Sequence, residues 1–523
     1  LPDAARPSLL WPGAVRERLR RGDWVWLALA YALAVAVRWS IRDAQPYTAE
    51  AAHYAMSLHL WHGVRNVGSL FLDIKPDTFS WFFWQRPLLC LLYWPAAQGG
   101  FGAYRAAHIL VAGLVPVLAA VLLRQLGTHP VLAHGAAAVL AIHPVLVPWG
   151  TLVLPDTTVA AFTLAGLLTA HDGRPWATAG LLLAGSWVKE VGFVTAAALL
   201  VLALWRDADG RRASLRPFHV GAFARALAPV VPLAFVPLVV SVKVLHGAMP
   251  GFRPGGDLPA ELERLFLLLW LLPVPVIGLL LPRVRRLGLV ALAWPAFFLA
   301  YTWGMGKAIE VWYNVVPATM ILVAAAATLS ALPREGPPLR RWAPVVASAA
   351  FAALLLVQVA VPQGTGLNAA VATPLDRAGQ WDLRQALSFE HVRDDDFAAA
   401  LATIPDNHTG SWLALDMDYS LVMYPMAERA GHVFKDFTVE WDAPDESMHW
   451  WADAVENRSD ATILAAAGDS TNHALREAYA PCSETFGIYT VIQAQNCRGS
   501  ADLMVAAYHR WHDQRSSQQA QQA

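Results

Sequence analysis

Charge is what this sequence has least of. Only 15% of its 523 residues are Asp, Glu, Lys or Arg, where soluble domains average roughly a quarter. That shortage excludes an ordinary soluble enzyme and a disordered chain. Cysteine is nearly absent, with three residues, which excludes a disulfide-rich secreted scaffold, and no Cys/His spacing of the metal-binding kind occurs. Internal repeats are missing too, and the C-terminal part lacks a glycine-rich phosphate loop. What is abundant is apolar: 56% hydrophobic residues, 23 Trp and a mean hydropathy of +0.38. Several apolar runs approach the roughly 20 residues that a membrane-spanning helix needs.

The net charge of -1 averages two unlike regions. Residues 1–362 carry 29 Lys+Arg against 17 Asp+Glu, a balance of +12, and residues 363–523 carry 10 against 23, a balance of -13. Apolar segments fall near 24–41, 86–100, 104–124, 130–150, 156–171, 176–205, 223–245, 262–281, 287–303, 312–331 and 342–362. The 176–205 run contains Lys189-Glu190 and reads as one long or two short helices, so the expected number of spans is 11–13. The run 24–41 follows Arg16, Arg18, Arg20 and Arg21, lacks a small-residue cleavage site and is too long for a signal-peptide core; it reads as a retained anchor.

Arginine clusters orient the bundle. Arg16–Arg21, Arg206–Arg216, Arg283–Arg286 and Arg334–Arg341 mark cytoplasmic ends, which puts 246–261, 304–311 and everything after 362 outside. The expectation is a polytopic α-helical membrane protein of the plasma membrane. Its parts are a cytoplasmic N-terminus (1–23), a transmembrane domain (24–362), an extracytoplasmic α/β domain (363–513) and a polar, disordered tail (514–523). In the α/β domain, Trp412–Leu415, His432–Phe437, Ala461–Ala466 and Gly487–Ile492 read as strands. Asp394–Ala402, His449–Glu456 and Asn472–Tyr479 read as the helices between them. Cys482 and Cys497 lie in this outward domain, where a disulfide between them and two separate thiols are both open; Cys90 reads as a buried apolar side chain.

Between the first span and Arg86 runs a loop of more than forty residues, 42–85, rich in Trp and Phe. Long loops with aromatic content are usually functional, and rings of this kind suit helices lying in the membrane interface. The stretch Glu50–Trp61 puts Ala51, Tyr54, Ala55 and Leu58 on one helical face. Ionisable residues at or near membrane depth are functional candidates. Here they are Asp43, Glu50, Asp73, Lys75, Asp77 and Arg86, joined by Lys307 and Glu310. A carboxylate can deprotonate an acceptor hydroxyl or bind a metal, and cations can hold a phosphate. Solvation of a long surface loop explains the same charges without function. Asp156, in Leu154-Pro155-Asp156, reads equally as catalytic support or as a helix N-cap, and Lys189-Glu190 as a buried ion pair joining two half-helices.

Four segments occur in a specific order: Ala49-Glu50-Ala51-Ala52-His53-Tyr54-Ala55, Gln85-Arg86-Pro87-Leu88-Leu89, His143-Pro144 with Leu154-Pro155-Asp156, and Lys189-Glu190-Val191-Gly192. In that order they resemble the GT-C membrane glycosyltransferases of the protein O-mannosyltransferase and aminoarabinose transferase superfamily. The resemblance covers about 40–330 through motifs and the whole chain through layout. It implies transfer of a sugar, with inversion, from a polyprenyl-phosphate donor to an extracytoplasmic acceptor, in contact with membrane lipids and without nucleic acid.

On this resemblance Glu50 is the candidate base, with Asp43 as runner-up and Asp156 in support. Arg86, Lys75, Lys307 and Tyr313 are candidates for the donor phosphate, and His53, Tyr54, Asp73, Asp77 and Gln85 for the substrate cavity. The family's Asp-Glu pair reads Ala49-Glu50 here, and its Glu-Lys-Pro-Pro element reads Gln85-Arg86-Pro87-Leu88. Three readings stay open: an enzyme with a shifted base, an inactive homologue that binds glycan or scaffolds a partner, and a lipid or sugar transporter. No cofactor is indicated with certainty, and a divalent metal stays open.

Overall fold

The computed structural model describes residues 19, 21–42, 48–58, 60, 86–143, 146–204, 220–234, 273–281, 284–305, 311–331, 399–400, 402–403, 411–414, 436–439, 462–466, 479–486, 489–493, 506 and 510. The chain divides into two compact units. The first comprises Leu1–Asp43, Trp81–Pro95 and Gly102–Glu390; the second comprises Ala44–Ser80, Ala96–Phe101 and His391–Ala523.

The described helices, in chain order, are α1 (Arg21–Trp39), α2 (Thr48–Leu58), α3 (Pro87–Ala97), α4 (Phe101–Gln125), α5 (Pro130–Ile142) and α6 (Leu146–Trp149). Next come α7 (Pro155–His171), α8 (Pro175–Val188), a 3-10 turn at Glu190–Gly192, α9 (Phe193–Leu204) and α10 (Val220–Leu227). The last are α11 (Pro273–Leu279), α12 (Arg285–Met305), a 3-10 turn at Val311–Asn314, and α13 (Val315–Ala331). Among the described residues α4 alone is both long and apolar enough to cross a membrane unaided.

Helix boundaries in the first unit follow local chemistry. Proline opens α5, α7 and α8, where a missing N–H costs no helical hydrogen bond. Gly127 and Gly173 end α4 and α7 at φ 77° and 75°. In both, the next residue's N–H reaches back five positions, Thr128 to Leu123 at 2.9 Å and Arg174 to Thr169 at 2.9 Å. This left-handed cap satisfies carbonyls that a helix end leaves open. The resulting hairpin packs α7 tightly on α8, with Gly166 admitting Leu182 where a Cβ would stand 2.7 Å from its methyl.

The apolar run 130–150 is interrupted. α5 ends at Ile142, and α6 starts after His143-Pro144, because proline restricts the residue before it to extended backbone; His143 has φ −62°, ψ 131°. Arg38 of α1 closes this break. Its guanidinium donates to the carbonyls of Ala34 (2.9 Å), Ala141 (3.0 Å) and Leu146 (3.0 Å). The run 176–205 is two helices, α8 and α9, divided at Lys189. α13 is buried almost throughout, its neighbours being α5, α7, α11 and α12.

In the second unit, α2 forms within the expected aromatic loop, and Tyr54 meets Phe101 edge-on at 5.2 Å. The buried residues described on α2 include Glu50, His53, Tyr54, Met56 and Ser57. Of the face read from Ala51, Tyr54, Ala55 and Leu58, Tyr54 is buried and Leu58 is half-buried, and the polar Glu50, His53 and Ser57 are buried beside it. The C-terminal part forms a five-stranded sheet of order β2-β1-β3-β5-β4, from β1 (Ser411–Ala414), β2 (Asp436–Val439), β3 (Thr462–Ala466), β4 (Ser483–Phe486) and β5 (Tyr489–Gln493). β2, β1 and β3 are parallel, whereas β3–β5 and β5–β4 are antiparallel. β2 overlaps the end of the expected strand His432–Phe437, whose residues 432–435 lie outside the described residues. β4 carried no apolar signal because Ser-Glu-Thr-Phe is a part-exposed edge strand. Cys482 is disulfide-bonded, Cys90 is a buried thiol on α3, and Cys497 lies outside the described residues.

Candidate functional site

The first unit concentrates charge at one buried place, assembled from helix ends. Asp156 sits in the first turn of α7, following Pro155. The N-cap of α7 is Leu154, with no side-chain cap, so Asp156 is not the capping residue. Its carboxylate faces Lys189 instead: Nζ lies 2.8 Å from Oδ1 and 2.8 Å from Oδ2, and both side chains are fully buried. An anion near a helix N-terminus also gains from the aligned peptide dipoles.

Lys189 reaches Asp156 because the chain stops being helical there. It has φ −153°, ψ 136° at the C-terminus of α8, its N–H bonded to the Gly185 carbonyl at 3.1 Å. The turn Glu190-Val191-Gly192 then folds back onto α8, and Gly192 presses against the helix backbone. A Cβ there would stand 2.5 Å from the carbonyl carbon and oxygen of Gly185. The ion pair that the sequence suggested between Lys189 and its neighbour Glu190 therefore forms with Asp156, thirty-three positions away. Lys189 is extended and Glu190 opens the 3-10 turn, and the ammonium of Lys189 is taken by Asp156.

The other side of the ammonium is aromatic. Lys189 Nζ lies 3.9 Å from the ring centroid of Tyr313, which stacks on Phe298 of α12 at 5.4 Å and 11°. A desolvated ammonium over an aromatic face gains a cation–π attraction. Trp294 Nε1 donates to Thr195 Oγ1 at 3.0 Å, tying α12 to α9 beneath this stack. Arg86 occupies the position before α3, its carbonyl accepting the Cys90 N–H at 3.3 Å. It is half-buried and close enough to act electrostatically on Asp156, Lys189, Tyr301 and Tyr313, as is Glu190.

A neutral relay fixes the helices that carry these charges. The Tyr93 hydroxyl of α3 shares hydrogen bonds with Thr158 Oγ1 of α7 and His108 Nδ1 of α4, each 3.0 Å. Thr157 Oγ1 donates to the Trp149 carbonyl at 3.0 Å. The start of α3, with Arg86, is thus held through Tyr93 two turns along, and the start of α7, with Asp156, through Thr157 and Thr158 in the same turn.

Of the residues expected from sequence, Arg86, Asp156 and Tyr313 are brought together in the first unit. Glu50, His53 and Tyr54 are buried on α2 in the second. Asp43, Asp73, Lys75, Asp77, Gln85, Lys307 and Glu310 lie outside the described residues. Lys189, Glu190 and Tyr301 are the additions. Two charges inside an apolar run signalled the first two; Tyr301, in an apolar helix, carried no signal. Among the described residues no three His, Cys, Asp or Glu side chains converge as metal ligands would.

No family model matches the chain, and no curated protein matches it. Among solved structures, the fold is similar to that of ArnT from Cupriavidus metallidurans in the apo state. The match covers 91% of this chain and 99% of that one, with a TM-score of 0.52 and 13% identity. A likeness at that identity concerns the fold.

Proposed function

We propose that the chain is an integral-membrane, inverting glycosyltransferase. It moves a sugar from a polyprenyl-phosphate donor to an extracytoplasmic lipid, glycan or protein acceptor. The observation that carries the proposal is the ArnT-like fold over nearly the whole chain, from a sequence whose ordered motifs resemble the same superfamily. The buried charges of the first unit add chemical support, because a bundle core holds such groups only at high cost unless they are used or paired.

In this reading the acceptor oxygen attacks the anomeric carbon as the bond from that carbon to the phosphate oxygen breaks. The acceptor proton passes to a carboxylate, and the bonding pair leaves with polyprenyl phosphate. The leaving group is already anionic, so cations assist it more than a general acid would. Glu50 is the proposed base, and Asp43 is second in line. Arg86 is the proposed phosphate contact, helped by Lys75 and Lys307. Asp156 is proposed as a positioning residue, since Lys189 occupies both of its oxygens. The Cys482–Cys497 disulfide and the outward placement of residues 363–513 belong to the same proposal.

The test is transfer of labelled sugar from polyprenyl-phosphate mannose or arabinose in proteoliposomes holding the full chain and extracted envelope acceptors. The wild type transfers label, and Glu50→Gln lowers kcat by about 10²–10⁴-fold, the usual contribution of a positioned base. Alanine at position 49, where the family carries Asp, favours a second reading, a glycan-binding protein without activity. Donor binding by a wild type that transfers nothing supports that alternative.

A further inference from the structure

We propose that Glu190 contacts the transferred sugar, accepting hydrogen bonds from hydroxyls of its ring; this rests on the glycosyl-transfer reading above. The four charges at the site sort into two kinds. Asp156 and Lys189 satisfy each other's charge: each carboxylate oxygen accepts from the ammonium, and the ammonium also lies against the Tyr313 ring. Glu190 is different. It is 4% exposed, its Oε2 is occluded, and that oxygen has no hydrogen-bond partner among the described residues. Lys189 is within electrostatic reach of it, but the ammonium is paired with Asp156.

A buried carboxylate oxygen without a donor is rare, because water would otherwise supply several. Here the backbone holds it in place. Lys189 is extended, and Gly192 locks the turn onto Gly185 with no room for a Cβ, so Glu190 is presented on a short, rigid segment. The missing partner must therefore bring donors to the carboxylate.

The chemistry of the carboxylate selects among the parts of a lipid-linked sugar. An ionised carboxylate only accepts hydrogen bonds, so it repels the phosphate and gains nothing from the polyprenyl chain. Ring hydroxyls supply O–H donors, and two neighbouring hydroxyls can engage both oxygens. Bonds of this kind to an ionised group are about twice as strong as neutral ones. The arrangement also orients the donor, with its phosphate toward the cation Arg86 and its ring toward Glu190.

The experiment uses the full chain in lipid nanodiscs and two probe classes. One is bare polyprenyl phosphate; the other is polyprenyl phosphate carrying mannose or arabinose. Wild type, Glu190→Gln and Glu190→Asp are compared by equilibrium binding. Glu190→Gln is expected to weaken the better-bound sugar-bearing lipid roughly ten-fold while changing bare polyprenyl phosphate less than about two-fold, with Glu190→Asp in between. Retained binding of the bare lipid shows that the variants are folded. Equal losses for both lipids, or no loss for either, overturn the inference and leave the glycosyl-transfer reading standing. A wild type that binds neither lipid overturns that reading itself, and this inference with it.

Discussion

Asp156 and Lys189 show how one residue's meaning depends on its partner. Each alone would be an uncompensated charge in an apolar bundle; together they make two 2.8 Å contacts with no exposure to solvent. Breaking such a pair from one side is destabilising by about 3–5 kcal/mol, because the survivor stays buried and charged. Asp156→Asn is therefore expected to lower the thermal unfolding midpoint in detergent strongly. The double variant Asp156→Leu/Lys189→Met, which removes both charges and keeps volume, is expected to recover most of that loss. If the double variant is as unstable as the single, the pair is not the source of the effect. Sequence singled out both charges, but it paired Lys189 with its neighbour, since adjacency is the only distance a sequence displays.

At the scale of elements, breaks in helices carry as much of the site as the helices do. The chain leaves α8 at Lys189, turns through Glu190–Gly192 and enters α9. The turn fits only because residue 192 has no side chain; a Cβ would lie 2.5 Å from the Gly185 backbone, which has no flexible end to move. Gly192→Ala is expected to displace the turn at a cost of about 1–3 kcal/mol. It should also lower donor binding, through the displaced Lys189 and Glu190. Binding of polyprenyl-phosphate mannose alongside a thermal melt checks both; unchanged binding in a destabilised protein would separate the turn from the site. These breaks were partly legible. Prolines 130, 155 and 175 and glycines 127 and 173 announce helix ends through fixed φ or left-handed backbone. The start of α2 and the edge strand β4 were harder. The buried residues of α2 include the polar Glu50, His53 and Ser57 beside Tyr54 and Met56, and hydrophobic periodicity does not report polar burial. β4 pairs through its backbone on one side only, which demands no apolar side chains.

For the whole molecule, the sequence divides by charge as well as by hydropathy, and the proposed orientation follows from that division. A Ser516→Cys variant is expected to react with a membrane-impermeant maleimide added to intact cells, after accessible native thiols are blocked. A Ser214→Cys variant, among the arginines at 206–216, is expected to react only after the membrane is opened. The reverse pattern would put the C-terminal domain on the cytoplasmic side and remove the extracytoplasmic acceptor from the proposal.

The sequence by itself determined that the chain is largely apolar and, over the described residues of the first unit, helical, where several of the described helices start and stop, and that strands follow near the C-terminus. These are local properties, set by hydropathy, proline and glycine, and they need no knowledge of what packs where. Only the tertiary structure decided which distant residues meet: Lys189 with Asp156 and Tyr313, Arg38 with the carbonyls of Ala141 and Leu146, and Tyr93 with Thr158 and His108. The same packing left one oxygen of Glu190 buried without a donor. Such pairings come from the packing of whole helices, in which small shifts of axis or rotation exchange one partner for another, and no local pattern in the chain encodes them.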